Sequence, residues 1–183
     1  MSYLEDGIIA NSEGLDPASY IIGTYLLQGP PEEDMLARAA GLAVEQTVGR
    51  GVFSMPEFHH LVDERGGKLL SLIPVPDHES KPTKDLQDWQ TVIARIAFPV
   101  ENTAFQIPML LTTLLSDASL GGMLKLVDID LPSRFVDAFQ GPKFGLDGIR
   151  EMLSTERALI CSILKPCVGV PPDKASEMFR QHA

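Results

Sequence analysis

Residues 20–45 read YIIGTYLLQGPPEEDMLARAAGLAVE, and the two halves of this stretch follow different periods. Tyr20 to Gln28 is rich in β-branched and aromatic residues and stops at Gly29-Pro30-Pro31, which predicts a strand with a turn behind it. Pro31-Glu32-Glu33-Asp34 then opens a helix. Proline suits the first turn, and acids there favour the helix dipole. Met35, Leu36, Ala39, Ala40 and Ala43 recur at helical spacing through to about Glu45.

Downstream, Thr47-Val48-Gly49-Arg50-Gly51 is a glycine-punctuated exit. Strands are expected over residues 59–63 and 68–75, joined through Glu64-Arg65-Gly66-Gly67 as a hairpin. Residues 76–88 are polar and read as a loop. Residues 90–98 alternate apolar and polar and close at Pro99, another strand. Residues 107–115 form a second helix with Pro108 tolerated in its first turn, ended by Ser119-Leu120-Gly121-Gly122. Residues 123–131 alternate again, up to Pro132. The order β-α-β-β-(β)-α-β predicts an α+β domain of ferredoxin-like type, an antiparallel sheet with helices on one face. Residues 1–18 are expected as a flexible arm and 19–138 as this domain.

The pattern then changes. Residues 139–157 read as a Gly/Pro-rich linker and a short helix at 146–153. Residues 158–164, ALICSIL, form a near-continuous apolar run of the kind seen in strands buried on both faces of a parallel sheet. A helix is expected over 173–182. Residues 158–183 are thus one strand–loop–helix unit, which closes neither a sheet nor a barrel by itself. The tail 154–183 is expected to be poorly anchored alone, and ALICSIL to promote self-association.

Composition narrows the function. Lys and Arg number 15 against 25 Asp and Glu, a net charge of −10, which argues against a nucleic-acid backbone or an anionic membrane surface as the main partner. With 44% hydrophobic and 22% charged residues, the 183-residue chain can bury its own core. No apolar run is long enough to span a bilayer, and the absence of Lys or Arg before Arg38 removes the basic start of a signal peptide. Two cysteines make a disulfide framework unexpected, and a reducing cytoplasm is the default.

Several residues carry candidate chemistry. Lys165 follows the buried run; such a lysine either snorkels to solvent or, at the C-terminal end of a barrel strand, faces a site where burial would lower its pKa and suit it to proton transfer. Cys167 shares strand parity with Lys165, whereas Cys161 reads as a small buried hydrophobe. Glu45 ends the first helix beside a glycine-containing loop, an exposed helix end or part of a site. His59-His60 lack an acid or cysteine partner nearby and read as strand or edge residues. No Walker-type loop and no Gly-x-Ser-x-Gly elbow is present.

Four motifs in order carry a resemblance: Ala39-Ala40-Gly41-Leu42-Ala43-Val44-Glu45 with Thr47-Val48-Gly49; Ile96-Ala97-Phe98-Pro99; Phe139-Gln140-Gly141-Pro142; and residues 158–164 leading into Lys165-Pro166. Over residues 20–183 the chain resembles the N-terminal portion of the RuBisCO large-subunit superfamily. Ile107-Pro108-Met109-Leu110-Leu111-Thr112-Thr113, Leu124-Lys125-Leu126-Val127-Asp128 and Gly141-Pro142-Lys143-Phe144-Gly145 make it most similar to the RuBisCO-like proteins, the form IV type that includes the methionine-salvage diketo-phosphate enolases. The resemblance implies an N-terminal α+β domain followed by a (β/α)8 barrel, of which residues 158–183 are the first strand–helix unit. It implies a homodimer through the N-terminal domain, with each site shared between subunits, and Mg²⁺-assisted enolisation of a phosphorylated ketose-like substrate. Lys165 matches the first lysine of the family's Lys-Pro-Lys segment, used in proton transfer. Glu45 matches the glutamate that reaches into the neighbouring subunit's site.

Departures qualify what is inherited. Cys167 replaces the second lysine of that segment. Arg50 and Gly51 stand where carboxylating members place Thr-Trp beside the substrate phosphate, so Arg50 offers that phosphate a charged donor. Ser116-Asp117 stands where the salvage enolases have Gly-Lys, which puts Asp117 in the place of their base. These changes speak against carboxylation and against the salvage reaction itself. The Lys-Asp-Asp-Glu-type segment that holds Mg²⁺ is not within these residues, so no metal ligand is assigned, and the 183 residues alone are expected to show no turnover. A different class of reading makes the chain a non-catalytic interaction module that pairs with a RuBisCO-type barrel or with itself.

Overall fold

The computed structural model describes residues 7–76, 89–120, 123–159 and 170–182. They divide into two compact units, Met1–Gln140 and Gly141–Ala183.

Strand β1, Tyr20–Gly29, alternates half-buried and buried residues without a break. One face, carrying Ile21, Tyr25 and Leu27, is therefore sealed in the core. The turn behind it is held by two straps. Arg38 donates to the Gln28 carbonyl (2.7 Å) and pairs with Glu33 (2.9 Å), and the Gln90 amide donates to the carbonyls of Pro30 (3.0 Å) and Glu33 (2.6 Å). Helix α1, Met35–Glu45, starts four residues after the expected opening at Pro31, because residues 31–33 form a turn and Asp34 is the cap rather than part of the first turn. The Asp34 carboxylate accepts from the amides of Leu36 and Ala37, both at 3.0 Å, satisfying two donors that the first turn leaves without partners. Ala39, Ala40 and Ala43 are fully buried, and their small side chains let the helix axis lie close to the sheet.

The next helix, α2, spans His60–Arg65. Strand β2 follows at Lys68–Pro74 and strand β3 at Gln90–Pro99. Helix α3 is Ile107–Leu120 and strand β4 is Leu124–Asp130. The four strands form one antiparallel sheet in the order β2-β3-β1-β4. The β1–β3 register is unbroken from Tyr20 opposite Pro99 to Gly29 opposite Gln90. Helix α3 is tied to the core by the buried Tyr25 hydroxyl, which donates to the Leu114 carbonyl (3.0 Å), and Tyr25 also meets Phe98 edge to face at 6.4 Å. A one-turn helix α4, Ser133–Val136, buries Phe135 between Phe105 (6.2 Å) and Phe139 (5.1 Å). The first residue of the Phe139-Gln140-Gly141-Pro142 motif is thus an anchor for the end of the first unit. In the second unit, helix α5 covers Gly145–Leu153 and helix α6 Pro172–His182.

Three expectations need correction or restriction. Residues 59–63 are not a strand, because the segment enters α2 with Val62 alone turned inward. The Gly66-Gly67 pair is consequently no hairpin turn. The Gly66 amide donates to the carbonyls of Leu61 and Val62, closing α2, and a Cβ on Gly66 would run into the Val62 carbonyl. The arm expected over residues 1–18 is tied down in its described part. Ile8 is fully buried, the Leu69 amide donates to the Ile8 carbonyl (2.8 Å), and the Ala10 amide donates to the Leu69 carbonyl (3.1 Å), laying this segment parallel to β2. Of the strand expected over 158–164, only Ala158 and Leu159 are described, and neither lies in a strand; the rest lies outside the described residues.

Candidate functional site

Helix α1 ends in a tightly wound exit that places two of the residues singled out in the sequence side by side. The Thr47 amide (3.1 Å) and the Gly49 amide (2.9 Å) both donate to the Val44 carbonyl. The Thr47 hydroxyl donates to the Ala43 carbonyl (2.8 Å) and accepts from the Gly67 amide (3.0 Å), stitching the helix end to the start of β2. Gly49 then takes φ +73°, a left-handed value that glycine adopts without cost, and turns the chain back over the helix. The next five residues, Arg50–Ser54, form a 3-10 turn.

The result is that Arg50 lies back against α1. Its Nε stands 3.5 Å from Glu45 Oε2, and its backbone amide donates to the same oxygen at 3.4 Å. Its guanidinium rests on Gly41, one helical turn before Glu45; a Cβ on Gly41 would come within 2.7 Å of Nη2. Both charged side chains remain open to solvent, Arg50 at 66% and Glu45 at 38%. An ion pair so exposed is worth about 0.2–1 kcal/mol. Chemically the arrangement offers a guanidinium and an amide converging on one anionic oxygen. Proton transfer by a carboxylate this exposed calls for a second surface that excludes solvent.

The remaining sequence candidates do not join this pair among the described residues. Asp117 sits on the last turns of α3, with its side chain outside the described set, and Cys161, Lys165 and Cys167 lie outside it altogether. His59 and His60 are exposed at the start of α2, facing the backbone carbonyls of Phe53 (3.4 Å) and Glu57 (3.1 Å). No group of three His, Cys, Asp or Glu side chains suited to a metal ion occurs among the described residues. None of their helices is long and apolar enough to cross a membrane.

Sequence reasoning missed three features. Gly41 is the seat for Arg50. Lys68, at the head of an apolar strand, is 7% exposed and donates to the Val62 carbonyl (3.0 Å); burial pushes it below the usual lysine value, against the opposing pull of Asp63. A cleft of about 480 Å³ runs between Pro17, Tyr20, Ile22, Asp130, Ser133 and Arg134. Burial raises the Tyr20 phenol above its usual value, with Glu101 and Asp16 adding to the effect. A charged residue opening a strand was the available signal for Lys68; Gly41 and the cleft had none.

No protein-family model matches the chain. A ribulose bisphosphate carboxylase-like protein of Archaeoglobus fulgidus is 34% identical over 177 residues, covering 96% of this chain and 40% of that protein. A 2,3-diketo-5-methylthiopentyl-1-phosphate enolase of Geobacillus thermodenitrificans is 32% identical over 154 residues, covering 82% of this chain and 36% of the enzyme. Among solved structures, a RuBisCO-like protein of Alicyclobacillus acidocaldarius superposes with a TM-score of 0.64 at 29% identity, over 88% of this chain and 38% of that one. The octameric ribulose-1,5-bisphosphate carboxylase/oxygenase of Pyrococcus horikoshii superposes with a TM-score of 0.69 at 21% identity, over 97% of this chain and 39% of that one, a likeness of fold. The chain spans about two fifths of the length of the curated relatives it matches.

Proposed function

This chain is homologous to the RuBisCO-like proteins over about two fifths of their length, and from that premise we propose that it is the N-terminal portion of an enzyme that enolises a phosphorylated ketose-like substrate. In this reading residues 19–138 are the family's ferredoxin-like domain, residues 139–157 the linker, and residues 158–183 the first strand–helix unit of a (β/α)8 barrel. Lys165 moves the proton or stabilises the enolate. Glu45 and Arg50 complete the site of a partner subunit in a homodimer, with Arg50 holding the substrate phosphate. Cys167 and Asp117 line the substrate in place of the lysines found elsewhere in the family.

The observation that carries the reading is the convergence of Glu45 and Arg50 on one exposed surface. Each was singled out separately, and each needs a facing surface to do chemistry. A site shared between subunits supplies that surface. Family resemblance also implies Mg²⁺, whose positive charge would stabilise an enolate oxygen. The described residues offer no three-ligand group for it, so none of them is given a ligand role and no step is routed through the ion.

The test is incorporation of solvent deuterium into a ketose-like phosphate, followed by ¹H NMR with Mg²⁺ present, on the complete gene product. The diketo phosphate of the relatives' name is the first substrate to try. Exchange is expected in the parent and is expected to fall by about 100-fold or more in Lys165→Ala, the range for loss of a positioned acid–base group. Glu45→Gln should fall similarly. Parent-level exchange in both variants overturns the assignment, and the absence of exchange with any ketose phosphate turns the reading to a non-catalytic interaction module.

A further inference from the structure

The contacts of Arg50 describe an anion site that is already filled. Its backbone amide donates to Glu45 Oε2 at 3.4 Å, and its Nε stands 3.5 Å from the same oxygen in an ion pair. That pair of donors, one charged and one from the backbone, is the set that an oxygen of a phosphate monoester accepts from. Nε and the backbone amide carry one hydrogen each, so a phosphate oxygen that takes both displaces the carboxylate oxygen. Gly41 makes the resting position possible, since any larger residue would displace the guanidinium. Gly49, at φ +73°, and Gly51, where an added Cβ would meet nothing within 4 Å, flank Arg50, and its side chain is 66% exposed, so no packed neighbour has to move for it to release Glu45.

Resting on the reading of Arg50 as the phosphate ligand, we infer that the Glu45 carboxylate is an intramolecular stand-in for that phosphate. Binding of a phosphate at Arg50 and release of Glu45 are then one event. The free chain holds its own carboxylate parked. A phosphorylated ligand takes over both donors, and only then does Glu45 become available to a facing surface. An unphosphorylated analogue leaves the carboxylate parked. Selection for a phosphorylated substrate thus operates at Glu45 as well as at Arg50.

The experiment titrates inorganic phosphate into the chain as it stands and follows the Arg50 amide and Nε–H signals together with the Glu45 Cδ signal by NMR. The Glu45 signal should move in step with the Arg50 signals. Two variants weaken the parking by different routes. Glu45→Gln removes the charge. Gly41→Ala fills the seat, and alanine is the better helix former, so α1 is preserved. Each should bind phosphate about two- to fivefold more tightly, the factor that an exposed pair of this kind can supply, whereas Arg50→Gln should lose the binding. If Arg50→Gln weakens binding but neither parking variant tightens it, the coupling is wrong and the phosphate role of Arg50 stands. If phosphate leaves the Arg50 signals unmoved, both the coupling and that role fall.

Discussion

Gly67→Ala probes the joint on which the Glu45–Arg50 surface depends. Gly67 stands just before β2, directly beneath the last turn of α1, with its amide donating to the Thr47 hydroxyl at 3.0 Å. A Cβ built on it would stand 2.5 Å from the Ala43 carbonyl oxygen and 3.1 Å from the carbonyl carbon, where an ordinary contact begins near 3.4 Å. Both obstacles are helix backbone, so no rotamer change relieves them. Helix and strand must separate by about 0.9 Å, enough to take the Thr47 bond beyond hydrogen-bond range. Overpacking of this kind costs about 1–3 kcal/mol and the lost bond about 1 more, so we expect a loss of about 3 kcal/mol. Urea denaturation followed by far-UV circular dichroism measures it, and the midpoint of thermal unfolding should drop by about 6–12 °C. Gly14→Ala is the control, since nothing lies within 4 Å of its Cβ, and it should change stability by less than about 0.5 kcal/mol. A Gly67→Ala protein indistinguishable from this control would refute the close approach, and with it the account of how the α1 exit is held.

Other consequences are simpler. Asp34→Ala removes the cap of α1 and should cost about 1 kcal/mol, read as a shifted urea midpoint with an unchanged slope. Tyr25→Phe removes the bond to the Leu114 carbonyl and should cost about 1 kcal/mol at neutral pH. Burial also raises the Tyr25 phenol above its ordinary value of 10.0. Below that value both states keep the proton; above it the unfolded chain releases the proton while the fold retains it, so stability falls as pH rises. Wild type should therefore lose up to about 1.4 kcal/mol per pH unit beyond pH 10 that Tyr25→Phe does not lose, which paired denaturation curves at pH 8, 10 and 11 would detect. Raising NaCl from about 0.05 to 0.5 M should bring the phosphate affinities of wild type and Glu45→Gln together, because an exposed ion pair is screened at that ionic strength. A constant ratio would mean that the parking is not electrostatic.

Where the sequence was legible, the reason was period. β1 alternates strictly and its expected bounds agree within a residue; α1 repeats at helical spacing and ends at Glu45 as expected, but it starts at Met35 rather than Pro31, since the acidic run supplies a turn and a cap. Residues 59–63 misled because five residues are too few for the two periods to separate, and because the Gly-Gly pair after them reads as a hairpin signal. The glycines are there for space instead, one under Val62 and one under Ala43, and that requirement comes from chain segments distant in sequence. The candidate site divides in the same way. Glu45 and Arg50 were legible as motif residues, but their pairing depends on the reversal at Gly49 and on the gap at Gly41. A lone glycine inside a helix announces neither.

In the proposed site shared with a second surface, the exposure of the pair would set the order of events. In water-like surroundings two unit charges about 4 Å apart attract by about 1 kcal/mol, and at the intermediate dielectric of a covered surface by about 4 kcal/mol. If a facing surface closed first, the Glu45–Arg50 contact would tighten, and a phosphate would have to break a pair that has lost its competition from solvent. In the proposed site, phosphate bound first would make the exchange cost little, and closure would then strengthen the Arg50–phosphate contact while leaving Glu45 to find a new partner on the facing surface. The half-open position of Glu45 is therefore what a site completed by a second surface requires, since a pair buried within this unit would already have committed its charge to Arg50.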